Sequence, residues 1–380
     1  MAVKWRSVER NLDQGAICED EREIGGTLLT CHRIRIGCVP VKAGIVGHVH
    51  TVEDRRGQGI GRRVMEGAHR RMAAKGCQIA FLFGIPRFYL KLGYAVVQNY
   101  YATMWDFGRH RVELPARHRC RRYRPGDLGA VMKIYRTSNR FRTGSFVRGR
   151  SDWLSDKRVG KYLSESLCAV GPRGGVRGYA KLGDRRDPAG RTPFFHARYM
   201  APEGLDGVLV VPEAGALDEG AAAALLAGLR AEASKTSRSR VLFLGPPDHE
   251  LSRAMYGVGA QHRQAVVPDG GAQARILDLG GLFKLLGKEF TRRCRESAFG
   301  DADGRLSIST DVGCVSLRVR RGEVAVAPAR RGALEIPAQK LIQHLFGFCD
   351  PPALPGRAGA LARGLFPRQF SHSWPLDEMI

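Results

Sequence analysis

The sequence predicts an α/β fold of mixed sheets flanked by helices, closed by an α+β segment. Three observations carry this. An alternating run, Val41 to Thr51, leads through the turn Arg56-Gly57-Gln58-Gly59-Ile60-Gly61 into a helical pattern. A buried-strand pattern, Ile79-Ala80-Phe81-Leu82-Phe83-Gly84, breaks at Pro86 and enters a short helix ending near Gly93. Near the C-terminus, three short alternating runs stand between a helix start and an amphipathic helix.

Taken in order, residues 20–38 read as a pair of strands, Gly26 to Thr30 and His32 to Cys38. In Val41–Thr51 the odd positions are small or apolar, which gives one buried face. Ile60, Val64, Ala68 and Met72 recur four apart and form one face of a helix. Glycines at a helix start let backbone N–H groups approach an anion. The helix dipole, with Arg56, Arg62 and Arg63, adds positive charge, so a pyrophosphate is the natural guest. The turn lacks the third glycine of a dinucleotide fingerprint and the Gly-Lys-Ser/Thr of a P-loop, and neither of those sites is expected.

A second unit opens with Cys120 to Leu128. Asp127 stands at an N-cap position before a helix through Val131, Ile134 and Tyr135. Gly207–Val211 reads as a strand and Gly220–Arg230 as an Ala/Leu-rich helix, with Asp218 and Glu219 near its start. Val241–Gly245 is a further strand, broken by Pro246 and Pro247. The order strand, proline break, short helix, glycine thus occurs twice, from Phe81 to Tyr94 and from Phe243 to Ala260. In the third unit Asp278 starts a helix. Strands follow at 306–310, 315–319 and 323–326, with Arg320-Arg321-Gly322 as a turn, and a helix from Gln339 ends at Gly347. The expected division is 1–108, 117–275 and 276–380.

Composition sets the class. At 380 residues two or three domains are expected, and 43% hydrophobic residues suffice for ordinary cores. No apolar run approaches the roughly 18 residues that a membrane span needs. The N-terminus lacks an apolar signal region, and a cytoplasmic protein is expected. Nine scattered cysteines without a C-x-x-C pair fit free thiols in a reducing compartment. His48 and His50 share a strand face, but no Cys or carboxylate lies at ligand spacing, so no metal site is expected. The net charge of +24 attracts polyanions, either CoA phosphates or nucleic acid. No zinc-finger or RNA-binding signature accompanies it.

The pattern Arg56-x-x-Gly59-x-Gly61 after Val49-His50-Thr51 resembles the acetyl-CoA pyrophosphate loop of the GNAT acetyltransferase superfamily. Phe88-Tyr89-Leu90-Lys91-Leu92-Gly93-Tyr94 resembles the superfamily's later F-Y-x-x-x-G-[YF] motif. The order of the whole chain resembles the enhanced intracellular survival (Eis) acetyltransferases. These carry a GNAT domain, a second GNAT domain without cofactor, and a sterol carrier protein-like domain. Ala274-Arg275-Ile276-Leu277-Asp278 and Leu341 to Gly347 fit the third. The second unit offers Pro212-Glu213-Ala214-Gly215-Ala216 where a cofactor loop would stand. The expected departure from the family is at the front, where most of the first strand and of the helices, which in the family help to shape the acceptor site, is missing or reduced.

The resemblance implies acetyl-CoA as cosubstrate, no metal, and direct transfer to a primary amine on a small molecule or a protein lysine. It implies cofactor contacts at Val49, His50, Thr51, Arg56, Gly57, Gln58, Gly59, Ile60, Gly61 and Arg62. Tyr89 takes the position that protonates the leaving thiolate; a tyrosine with its pKa near 10 keeps its proton at neutral pH. Ile380 supplies the terminal carboxylate that acts as general base, with His48 and His50 as rival bases. Relatives assemble as trimers or hexamers. Two other readings stay open: a basic nucleic-acid-associated protein with a vestigial GNAT domain, and an apolar-ligand carrier acting through the third unit.

Overall fold

A computed structural model describes residues 2–9, 11–108, 118–154, 163–183, 197, 200–265 and 271–370. In chain order its strands and helices are β1 (Lys4–Glu9), β2 (Leu12–Glu19), β3 (Arg22–Ile36), β4 (Val39–Thr51), α1 (Ile60–Ala74), β5 (Ile79–Phe83), α2 (Pro86–Leu90), β6 (Ala95–Val96) and β7 (Tyr100–Asp106). Then come β8 (Arg119–Arg122), α3 (Leu128–Ser138), α4 (Arg150–Trp153), β9 (Leu167–Val170), β10 (Val176–Lys181), β11 (Val208–Val211), β12 (Glu213–Ala216), α5 (Glu219–Ser234), β13 (Arg240–Phe243), α6 (Glu250–Tyr256) and β14 (Gln261–Ala265). The last are β15 (Ala272–Ile276), α7 (Leu279–Glu296), β16 (Gly304–Thr310), β17 (Gly313–Arg320), β18 (Glu323–Pro328), β19 (Leu334–Glu335), α8 (Ala338–Leu345) and α9 (Gly356–Leu365). Mixed sheets flanked by helices are the class the sequence predicts. Among the described residues no helix is long and apolar enough to cross a membrane.

Contacts divide the chain into one unit of Met1–Gln98 with Pro268–Ser371 and another of Asn99–Val267. Set against the expected boundaries, β7 belongs to the second unit although it lies within 1–108. β15 belongs to the first although all of it but Ile276 lies within 117–275. Alternation marks these segments as strands, but nothing local says which sheet completes their ladders.

The first unit holds a seven-stranded sheet in the order β1-β2-β3-β4-β5-β15-β6. β4 and β5 run parallel and the other neighbours antiparallel. Residues 20–38 were expected to be two strands. They form instead one continuous strand, β3, because nothing at Cys31 turns the chain. The turn comes at Gly37 and Cys38, and β4 returns along the whole of β3. In the front, β1 and β2 pair directly, so among the described residues no helix separates them. Helix α1 turns Ile60, Val64, Ala68 and Met72 onto the sheet, all 3% exposed or less. Burying such a side chain stabilises by roughly 1.5–3 kcal/mol for the larger ones.

The same unit carries a four-stranded sheet, β18-β17-β16-β19, covered by α7 and α9. Arg321 and Gly322, both at positive φ, form the two-residue turn from β17 to β18 that matches the twist of a hairpin. Asp278 caps α7 through the N–H of Gly281 at 2.9 Å. On α7, Glu289 and Arg293 are buried and paired at 2.6 Å. Arg293 also donates to the terminal carbonyls of α8 (Leu345) and α9 (Leu365).

The second unit has two four-stranded sheets, β12-β10-β9-β8 and β11-β13-β7-β14. The expected strands at 207–211 and 241–245 and the helix at 220–230 are present as β11, β13 and α5. Asp127 occupies the N-cap position of α3 without capping it. Its carboxylate instead grips the Arg121 guanidinium and the N–H of Arg124.

Candidate active site

β4 positions the first part of the site. It pairs with β5 from Ala43 to Val46 and then runs on to Thr51 without it. The cause of the divergence is a bulge: His48 and Val49 of β4 stand opposite Thr27 alone. His48 takes φ +51°, rare for a residue with a side chain, and the Thr27 hydroxyl holds the carbonyl of Gly47 at 2.9 Å. The bulge leaves His48 and Val49 without one-to-one partners, while His50 and Thr51 stay paired with Gly26 and Gly25 of β3. The β5 side of Val49-His50-Thr51, the stretch singled out by sequence, lies beyond the β4–β5 pairing.

The turn after β4 ends in an open helix N-terminus. Gly57 and Gly59 take φ +79° and +75°, and a Cβ at either would meet nothing within 4 Å. Backbone shape, not crowding, is therefore what requires glycine there. Gly59 is the N-cap of α1, and no side chain caps it. The first intrahelical bond is Arg63 N–H to Gly59 C=O, so the N–H groups of Ile60, Gly61 and Arg62 precede the helical ladder. Arg56 and Arg62 are exposed and, among the described residues, pair only with Glu53 at 3.7 Å and Glu66 at 2.9 Å. Such surface pairs are weak and are readily exchanged for a phosphate. Gln58 is exposed, its amide on the Asp54 carbonyl at 3.3 Å.

The second motif packs beside this turn. A Cβ on Gly61 would lie 3.3 Å from the Phe88 ring and 3.6 Å from Thr51 Oγ1. Pro86 starts α2, and the N–H groups of Leu92 and Tyr94 return to the Tyr89 carbonyl. Tyr89 is buried in a cluster with Met65, Leu82 and Tyr94, against which Val49 and Phe88 also pack. The bulge, the start of α1 and α2 therefore meet on one core. Burial raises the Tyr89 pKa above its usual value near 10, so the phenol keeps its proton. His48 and His50 are both exposed. His50 Nε2 lies 3.1 Å from Glu23 Oε1, and its Nδ1 lies 3.2 Å from the His48 carbonyl. Ile380 lies outside the described residues.

Several residues that the sequence did not single out hold this site. Arg275 on β15 donates to the Leu92 carbonyl at 2.6 Å and to His69 Nδ1 at 3.1 Å. His69 Nε2 in turn lies 2.9 Å from the Tyr94 hydroxyl. Gln273 donates to the Gly84 carbonyl at the end of β5. From α8, Gln339 donates to the carbonyls of Leu90 and Tyr94, and Gln343 to that of Val96. The local hints were the matches of Ala274-Arg275-Ile276-Leu277-Asp278 and Leu341 to Gly347, both read as parts of a third unit. A glutamine on a helix carries no mark of a partner some 250 residues away. Among the described residues, no group of three or more His, Cys, Asp or Glu could hold a metal ion.

Residues 3–97 match the family model for the acetyltransferase (GNAT) domain. Among solved structures, the chain is similar to a GCN5-related N-acetyltransferase from Kribbella flavida, with a TM-score of 0.70 and 17% identity over 95% of this chain and 86% of that one. It is similar to a GCN5-related N-acetyltransferase from Anabaena variabilis (0.68, 15% identity, 96% and 88%). It is similar as well to Eis1 from Mycobacterium abscessus (0.61, 14% identity, 95% and 89%). At these identities the likeness is one of fold. No match is found among curated proteins. The chain is thus an enzyme with an acetyltransferase (GNAT) domain at residues 3–97.

Proposed function

We propose that this enzyme transfers the acetyl group of acetyl-CoA to a primary amine by direct attack in a ternary complex. The observation that carries the reading is the pairing of a bulged β4, splayed from β5, with the uncapped N-terminus of α1. The N–H groups from Gly57 to Arg62, with the Arg56 and Arg62 guanidiniums, bind the pyrophosphate. Backbone N–H groups of Val49-His50-Thr51 polarise the thioester carbonyl and stabilise the oxyanion as the amine attacks. Tyr89 gives its proton to the departing thiolate, a role its raised pKa suits. The Ile380 carboxylate accepts the ammonium proton, with His48 and His50 as the competing bases.

In this reading the part of residues 1–108 before β7, its sheet completed by β15, is the working domain, and β7 with the rest of 117–275 is a second GNAT-like unit without cofactor. Residues 276–380 are the sterol carrier protein-like unit. The helix starts support the contrast. The Asp218 carboxylate closes the N-terminus of α5 on the N–H of Ala221 at 2.8 Å, whereas α1 is open. The protein acts in the cytoplasm as a trimer or hexamer, and a small amine or a protein lysine is the acceptor. The test is amine-dependent release of CoA thiol by the untagged chain beside one extended at its C-terminus. Loss of turnover in the extended chain supports the terminal carboxylate as base, and full turnover rejects it. Strongly salt-dependent nucleic-acid retention without acetyl-CoA binding would favour the basic binding protein instead.

A further inference from the structure

Cys31 on β3 and Cys77 in the junction between α1 and β5 place their sulfurs 3.7 Å apart. They are not bonded, yet a disulfide, at about 2.05 Å, leaves only roughly 1.7 Å to close. Cys31 is half-buried, while Cys77 is 2% exposed. The charged groups around the pair are Lys75 beyond the end of α1, Lys42 on β4 and Asp13 on β2. Asp13 is already held by Arg71 and Lys75 at 2.8 and 2.7 Å. A hydrogen bond from Cys77, joined by the Lys75 and Lys42 charges, outweighs burial and lowers the Cys31 thiol to about 7. Elsewhere burial pushes Cys120 to about 11, Cys168 to about 12 and Cys294 to about 11.

We propose that Cys31 and Cys77 form a redox-active thiol pair that a hydroperoxide converts to an intrachain disulfide. The Cys31 thiolate attacks one peroxide oxygen. An S–O bond forms, the O–O bond breaks, and the leaving oxygen takes a proton to become water or an alcohol. The Cys77 sulfur then attacks the Cys31 sulfenic acid. The S–S bond forms, and hydroxide leaves with the Cys77 proton as water. The two thiols together lose two electrons and two protons, and the peroxide gains them. A dithiol reverses the reaction. The pair lies at the end of α1 opposite the glycine turn, a helix of about 22 Å, and packs on the same core cluster as Tyr89.

The test is hydrogen peroxide treatment of the full chain, followed by alkylation of remaining thiols and peptide mapping. The expected result is a peptide linking Cys31 to Cys77, reversed by dithiothreitol and formed before any other of the nine cysteines is oxidised. In Cys77→Ala, dimedone traps the sulfenic acid on Cys31; in Cys31→Ala, nothing is trapped at Cys77. Iodoacetamide modifies Cys31 at neutral pH several-fold faster than Cys120. A wild-type map without the linked peptide, or with another cysteine oxidised first, overturns the proposal whatever the variants do.

Discussion

The Arg275 guanidinium donates to Nδ1 of His69 at 3.1 Å, joining residues 206 positions apart. The bond fixes the proton of the neutral imidazole on Nε2, which donates to the Tyr94 hydroxyl. A strand from late in the chain is thereby tied to α1 and to the loop behind Tyr89.

That arrangement makes His69 an acid-sensitive part of the fold. Burial first, then the charges of Arg275 and Arg70, lower its pKa to about 3. In the unfolded chain it protonates near 6.5. Its contribution is whole above about pH 6.5 and drains as pH falls towards 3, because the unfolded state binds the extra proton. In His69→Gln, urea midpoints at pH 7 and pH 4 should lie closer together than in the wild type. An unchanged gap would mean His69 does not titrate in this way.

Glu289 sets a second, more acidic window. Burial opposes its charge, but Arg292 and Arg293, with the Cys38 N–H, overcome this and hold its pKa at about 2. The stability it carries is present above the unfolded value of about 4.3 and is lost as pH falls through 2. Glu289→Gln leaves Arg293 buried without its counter-charge, which costs about 3–5 kcal/mol at neutral pH. The variant should unfold at clearly lower denaturant and lose the acid dependence between those two values.

Tyr89→Phe should lower kcat by at least about tenfold, as for the loss of a general acid, and leave acetyl-CoA affinity nearly unchanged. The raised pKa of Tyr89 adds that wild-type turnover keeps its acid form to pH values above 10, with no alkaline fall from this group below that. Steady-state rates across alkaline pH check both.

His48 separates strain from chemistry. Glycine adopts φ +51° freely, so His48→Gly should keep the bulge and raise stability by up to about 1 kcal/mol. Turnover should survive. Its loss in a variant with the fold intact would make His48 the base.

Much of this was legible because local chemistry demanded it. The four-residue spacing from Ile60 to Met72 gave α1, Pro86 and Gly93 bracketed α2, and Arg321-Gly322 gave a hairpin. What stayed hidden depends on distant partners. β15 enters the sheet between β5 and β6, and Gln339 reaches back to Leu90 and Tyr94, yet neither segment carries a mark of its partner. The bulge at His48 left the apolar alternation of β4 intact. β1 and β2 went unread because the front reads as a reduced piece of the family's first strand and helices, whereas the chain makes a direct hairpin there.

The central claim, that the open turn before α1 binds acetyl-CoA, is tested most directly by calorimetry on the untagged chain beside an Arg56→Ala, Gly59→Asp double variant. Aspartate at position 59 brings negative charge and a disfavoured φ to the pyrophosphate site. The account predicts micromolar binding that the variant loses while its fold persists. Absence of binding to the wild-type chain, or equal binding by both, would contradict it.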